Sequence, residues 1–144
     1  MNNDIYYMEQ AYKEATKAFK INEIPVGAVI VNNKSGKIIS RGYNRKEKDH
    51  LSISHAEINA IIKACKINKD WRLVDHSIYV TLKPCDMCME VIKSSQIDNI
   101  YYCCEQNDYI KKNIKITKIK CDELEEECSS IIKKKFTEIR KEKK

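Results

Sequence analysis

Two short stretches of this chain carry the residue types that can do chemistry: His55-Ala56-Glu57, and further along Pro84-Cys85-Asp86-Met87-Cys88. Together they offer three good zinc ligands and one carboxylate able to move protons. A structural zinc site closes its shell with four Cys or His ligands, whereas a catalytic one keeps a position for water. His55, Cys85 and Cys88 supply three, and nothing nearby is an obvious fourth. The expectation is therefore a hydrolytic zinc site, one ion per chain, with Glu57 beside it as a proton carrier and not as a ligand.

Such a site needs elements that aim the ligands. Cys85 and Cys88 are three residues apart, so on a helix they project from one face and can share an ion. Pro84 suits a helix start, where its missing N–H costs nothing. The sulfurs then lie in the first turn, where the positive end of the helix dipole favours thiolate. Ser52-Ile53-Ser54 reads as the approach to a second helix, with His55 and Glu57 in its opening turn. Two helix N-termini are expected to converge on one metal.

The rest of the chain must hold those helices. Its 144 residues suffice for one domain, 1–144, with one sizeable core. There is no linker-like stretch and no repeat. The start, Met1-Asn2-Asn3-Asp4, lacks the pattern of a signal peptide, and no apolar run reaches membrane length. Seven cysteines without a secretion signal point to reduced thiols and a cytoplasmic setting. The formal net charge of +6 suits a polyanionic partner. Much of the excess sits in Lys133-Lys134-Lys135 and Arg140-Lys141-Glu142-Lys143-Lys144, within a basic C-terminal helix expected over about 122–144. Such a run reads either as a solvated face or, beside this site, as a phosphate-contacting surface.

Asp4 can cap a first helix whose inward face is Ile5, Met8, Tyr12, Ala15 and Phe19. Val26 to Val31 and Lys37 to Tyr43 form a hairpin around Asn32-Asn33-Lys34-Ser35-Gly36. Ile58, Ile61, Ile62 and Cys65 form the inward stripe of the next helix. Ser77 to Leu82 is the strand that delivers Pro84 and Cys85; Asn99 to Cys104 and an edge strand over Ile114 to Ile119 follow. Asp122 with Glu125 makes a capping-box-like start to the last helix, with Leu124, Cys128, Ile131, Ile132 and Phe136 inward. Alternating helices and strands predict an α/β fold of three layers, α/β/α, with helices on both faces of a mixed five-stranded sheet.

H-x-E followed by P-C-x-x-C is the signature of the zinc-dependent nucleoside and nucleobase deaminases. Around it, Ile24-Pro25-Val26-Gly27-Ala28-Val29-Ile30-Val31, Gly42-Tyr43-Asn44-Arg45, Trp71-Arg72-Leu73 and Tyr79-Val80-Thr81-Leu82 resemble the bacterial tRNA-specific adenosine deaminases. The resemblance implies a cytidine-deaminase-like fold and hydrolysis of the wobble adenosine to inosine. It also implies a tRNA anticodon loop as partner and a homodimer. It assigns Asn44 a hydrogen bond to the base or ribose, the backbone around Ala56 the base edge, and Val26 a pocket wall. Asn44 reads equally as a turn residue closing the hairpin's exit.

Two departures favour a rival, deamination of a free nucleobase or nucleoside such as guanine or cytosine. Lys83 stands where the family usually has Glu, and the segment after Cys104 is shorter than the family's. A non-catalytic RNA-binding subunit with structural zinc is the third reading; the retained Glu57 speaks against it. The remaining candidates read as structural: Cys103-Cys104 and Cys121 as edge or core residues, Cys65 and Cys128 as core, His76 and His50 as surface, and Trp71 as packing before base stacking.

Overall fold

A computed structural model describes residues 3–105, 118 and 122–142. The chain divides into two compact units, Met1–Tyr109 and Ile110–Lys144. In the first, α1 (Asp4–Lys20) leads into β1 (Gly27–Asn32) and β2 (Ile38–Tyr43), then the one-turn α2 (Lys46–Asp49), α3 (Ala56–Asn68), β3 (His76–Leu82), α4 (Asp86–Ser94) and β4 (Asn99–Cys104). In the second, the described element is α5 (Asp122–Glu142).

The described strands form one mixed sheet in the order β2-β1-β3-β4, with β1 antiparallel to both neighbours and β3 parallel to β4. The sheet is thus four-stranded, and the expectation of five is corrected. The segment Ile114 to Ile119 lies outside the described residues. Its alternation of Ile with Lys specifies a strand only where a partner buries one face.

The three-layer arrangement holds. Ala28 and Ile30 of β1 and Ile78 and Val80 of β3 face one core, shared with Ala56, Ala60, Ile61 and Ala64 of α3 and Ile92 of α4. Val29, Val31 and Tyr79 face the other, with Tyr7 and Ala11 of α1. Fully buried side chains such as Ile30, Ile78 and Ile92 each contribute about 1.5–3 kcal/mol.

Two glycines set how closely the helices approach. A Cβ on Gly27 would lie 2.0 Å from the Ala11 carbonyl oxygen, and one on Gly42 would lie 2.4 Å from that of Ala56. At such approach only small residues fit between helix and sheet. α1 accordingly buries Ala11, Ala15 and Ala18, while Ile5, Tyr12 and Phe19 of the expected inward face point to solvent. On α3, Ile58 and Ile61 are buried as expected, Cys65 is partly buried against the core, and Ile62 is exposed.

Asp4 does not cap α1: Asn3 holds the N-cap position without a side-chain bond, and the Asp4 carboxylate accepts the Tyr79 hydroxyl. His76 is buried, not a surface residue, with Nδ1 2.8 Å from the Val74 carbonyl oxygen and Nε2 3.3 Å from Asn68 Nδ2. Trp71 is 54 % exposed and carries the Arg72 guanidinium over its ring at 4.5 Å, outside the core. In α5, Ile131, Ile132 and Phe136 are exposed, contrary to the inward face expected of them. No described helix is long and apolar enough to cross a membrane.

Candidate active site

β3 runs out at Leu82, whose last pairing is with Cys104, and Lys83 N–H donates to the Cys104 carbonyl at 2.8 Å. Pro84 then turns the chain, and α4 begins at Asp86 with Cys85 as its N-cap. The helix therefore starts two residues later than Pro84 at its first position would put it. Both sulfurs still lie at its positive end, Cys85 before the first turn and Cys88 inside it.

The second arm is built alike. His55 is the N-cap of α3, in extended conformation, and Glu57 lies in the first turn. The approach is pinned by hydrogen bonds. Ser54, nearly fully buried, donates its hydroxyl to Asp49 Oδ2 at 2.7 Å, and its carbonyl accepts the Arg45 N–H at 2.9 Å. Asn59 Nδ2 donates to the Tyr43 carbonyl at 2.9 Å and to Ser54 Oγ at 3.2 Å.

The two arms meet as the spacing predicted. His55 Nδ1 lies 3.8 Å from Cys85 Sγ and 3.4 Å from Cys88 Sγ. The three donor atoms lie within 4.8 Å of one another. Tetrahedral zinc with bonds of about 2.3 Å to sulfur and about 2.0–2.1 Å to nitrogen separates S and N by about 3.6 Å. Both His–Cys separations therefore match those around such an ion.

The electrostatics suit a cation. Burial, with Lys46 nearby, lowers the His55 pKa and keeps the imidazole neutral, the form that ligates. Burial pushes the Cys88 thiol strongly up, and the neighbouring Glu57 and Cys85 push the same way. Burial also raises the Glu57 carboxyl, against the opposing hydrogen bonds of its own backbone and of Cys88. Burial thus favours the protonated forms of both groups; a bound dication would favour the thiolate and the carboxylate instead.

The expected substrate residues line the same end of the sheet. Asn44 N–H donates to the Val26 carbonyl at 3.0 Å, which ties these two together beside the Arg45–Ser54 contact. The Asn44 side chain serves the turn: Nδ2 donates to the Ile24 carbonyl at 3.2 Å and Oδ1 accepts from Lys46 N–H at 3.1 Å. Ala56 is fully buried with its methyl in the core, so a role at a base edge falls to its backbone. Lys83 sits beside the site, 3.5 Å from Glu105 and over the Tyr102 ring at 5.8 Å.

Sequence reasoning missed Glu23 and Asn59. Glu23 is buried, and its carboxylate accepts the Glu47 N–H at 3.0 Å and 3.1 Å, capping α2 in the loop that carries Asn44. Nothing in its neighbourhood signals a buried acid. Asn59 could have been found, because it lies one turn beyond His55 on the same helix face.

A three-layer fold presenting three zinc-type ligands and a buried carboxylate from two helix N-termini defines a hydrolytic metal-dependent deaminase. Residues 1–104 match the family described as cytidine and deoxycytidylate deaminase zinc-binding region. The tRNA-specific adenosine deaminase of Bacillus subtilis is 36 % identical over 155 residues, covering 100 % of this chain and 95 % of the relative. That of Rickettsia bellii is 47 % identical over 95 residues, 66 % of each chain. Among solved structures, one from work on A-to-I editing by tRNA:A34 deaminases at the wobble position of transfer RNA superposes with a TM-score of 0.67 at 38 % identity, over 70 % of this chain and 76 % of that one. Guanine deaminase of Bacillus subtilis superposes with a TM-score of 0.69 at 32 % identity, over 75 % and 68 %. The chain belongs to the bacterial tRNA-specific adenosine deaminases, within the zinc-dependent cytidine and deoxycytidylate deaminase superfamily.

Proposed function

We propose that this chain converts the wobble adenosine of a tRNA anticodon to inosine by hydrolysis. The coarser statement, a zinc-dependent deaminase acting on tRNA, follows from its family. The observation that carries the chemistry is the His55–Cys85–Cys88 cluster with the Glu57 carboxyl buried against Cys88.

His55 Nδ1 and the two sulfurs would hold one zinc ion per chain. In such a site zinc acts as a Lewis acid and lowers the pKa of a water to about 7. Glu57 takes one proton from the attacking water and delivers it to the adenine ring nitrogen. As the C–N bond breaks it takes the second proton, from the new hydroxyl on the attacked carbon, and passes it to the departing amine. A C–O bond forms at the carbon bearing the amino group, the C–N bond breaks, and inosine and ammonia leave. The raised affinity of Glu57 for a proton suits it to hold one between these steps.

Val26 walls the base pocket, and the Ala56 backbone meets the base edge. Asn44, bonded to the backbone on both sides, either turns its side chain to the substrate on binding or orders the loop that receives it. The exposed cations of α5 and the net charge of +6 suit contact with phosphates. An unstacked anticodon loop presents the adenosine at small cost. A homodimer and a cytoplasmic location belong to the same reading.

The test is an inosine assay on tRNA with adenosine at the wobble position, beside free adenosine, adenine, guanine and cytosine. Inosine in the tRNA, lost in Glu57→Ala with zinc content intact, supports the reading. Ammonia from a free base alone would move the chain to nucleobase deamination, which the fold accommodates equally well.

A further inference from the structure

β2 is an edge strand of the described sheet, and along it lies a groove of about 540 Å³ bounded by residues of α1 and α3. Lys17, Arg41, Lys63 and Lys66 line it, facing a single carboxylate, Glu14. That carboxylate is 2 % exposed and already matched, by Lys17 Nζ at 3.0 Å and Arg41 Nη1 at 3.7 Å. Arg41 is held further by Gln10, whose Oε1 accepts from Nη2 at 2.8 Å. Lys63 and Lys66 make no ion pair among the described residues. The groove therefore carries cationic charge that nothing described in this chain neutralises.

Its place is as telling as its charge. β2 runs antiparallel to β1 and β1 antiparallel to β3, so β2 and β3 point the same way. The Tyr43 end of the groove is thus the end of the sheet at which β3 delivers Cys85. Tyr43 lines the groove and is tied through its carbonyl to Asn59, one turn beyond His55. From there the strand extends away from the metal ligands for roughly 15–20 Å, at about 3.3 Å per residue.

We infer that this groove is a track for the phosphate backbone of the substrate RNA, with Lys63 and Lys66 as its phosphate contacts. The inference rests on the tRNA reading above and extends it to a surface outside the metal site. A protein strand adding to the β2 edge is the competing occupant. Lys63 disfavours it, because its ammonium donates to the Arg41 carbonyl at 3.0 Å, a group an added strand would need. Contacts of this kind fix the register of the RNA and carry no base identity.

The variant Lys63→Gln/Lys66→Gln removes both charges and keeps good helix formers and a donor at each position. Editing of full-length tRNA is measured over a salt series for wild type and variant, with molar mass by light scattering. Each phosphate contact contributes about 0.7–0.9 to the slope of log affinity against log salt. The slope should become shallower by about 1.4–1.8, with KM raised, kcat at saturating tRNA unchanged, and the slope restored in Lys63→Arg/Lys66→Arg. An unchanged slope and KM in a variant of an active wild type overturns the inference alone. A change in molar mass overturns it in favour of a protein partner. A wild type that leaves tRNA unedited overturns the substrate reading and this inference with it.

Discussion

His55 and Cys85 hold the same rank in two different helices. Each is the N-cap, with φ −79° and ψ 156° at His55 and φ −69° and ψ 170° at Cys85. Each also gives its carbonyl to the first helical hydrogen bond, from Asn59 N–H at 3.0 Å and Met89 N–H at 2.9 Å. Backbone conformation at two caps thus aims both side chains at one point. Glu57 and Cys88 follow in the same first turns, where the helix dipoles favour negative charge. The metal site is a by-product of two helix starts, which separates the requirements of the ligands from those of the fold.

Cys85→Ser tests that separation. Serine is a good N-cap, so α4 should still start at Asp86, while the hydroxyl is a far poorer zinc ligand than a thiolate. Zinc per chain should fall well below one and deamination by at least about a hundredfold, because the acidified water is lost. Far-UV circular dichroism should match wild type. Full zinc occupancy in the variant would show that another group completes the site.

Gly27 and Gly42 make a matched pair. Adding a methyl at either meets backbone at well under 3 Å, so a helix must move, at a cost of about 1–3 kcal/mol. Gly27→Ala displaces α1, which carries no ligand; Gly42→Ala displaces α3 at Ala56, beside His55 and Glu57. Both should lower Tm, but only Gly42→Ala should weaken zinc binding and cut kcat. Equal zinc affinity in the two variants would show that α3's seat on β2 does not position His55.

The candidate metal cluster was legible in the sequence because much of its information is local: His55 and Glu57, two residues apart, and Cys85 and Cys88, three apart, each need only a helix start to become geometry. The layer order was legible from alternating periodicities. What escaped depends on distances between elements. Periodicity places Ile5, Tyr12 and Phe19 on the core face of α1, yet Gly27 brings the helix so near the sheet that Ala11, Ala15 and Ala18 fit instead. Gln10 and Glu14 are buried beside them because Arg41, distant in sequence, meets both. His76 is buried because two hydrogen bonds satisfy its ring. The expected fifth strand rested on less, since an Ile/Lys alternation carries no information about whether a partner exists; the described strands number four.

Lys69 ends α3 in the left-handed region, φ 54° and ψ 39°, and its N–H donates to the Cys65 carbonyl. That conformation costs a non-glycine residue about 1–2 kcal/mol, and glycine adopts it freely at a small entropic cost in the unfolded chain. Lys69→Gly should therefore stabilise the protein by about 0.5–1 kcal/mol and leave deamination as it was. Chemical denaturation with both proteins side by side decides the point; a lower midpoint for the variant would mean that the Lys69 side chain contributes more than its backbone strain costs.

Glu57 links function to stability with a sign that can be worked out. In zinc-free protein, burial raises its carboxyl above the ordinary 4.5. Below 4.5 the group is protonated in both folded and unfolded chains and adds no pH dependence. As pH rises from there through the raised folded value, the unfolded chain ionises first and stability is lost. Above the folded value the loss is complete. Glu57→Gln cannot ionise and escapes this loss. The zinc-free variant should thus unfold near the wild-type temperature at acidic pH and increasingly above it towards neutrality, while its deamination drops by about 10²–10⁴-fold. Zinc should reverse the order of stabilities at neutral pH, because the cation favours the carboxylate and the thiolate of Cys88 together. Thermal unfolding of wild type and variant, with and without zinc, over a pH series reads all of this. A zinc-free variant no more stable than wild type at neutral pH would show that burial does not raise the Glu57 carboxyl above its value in the unfolded chain.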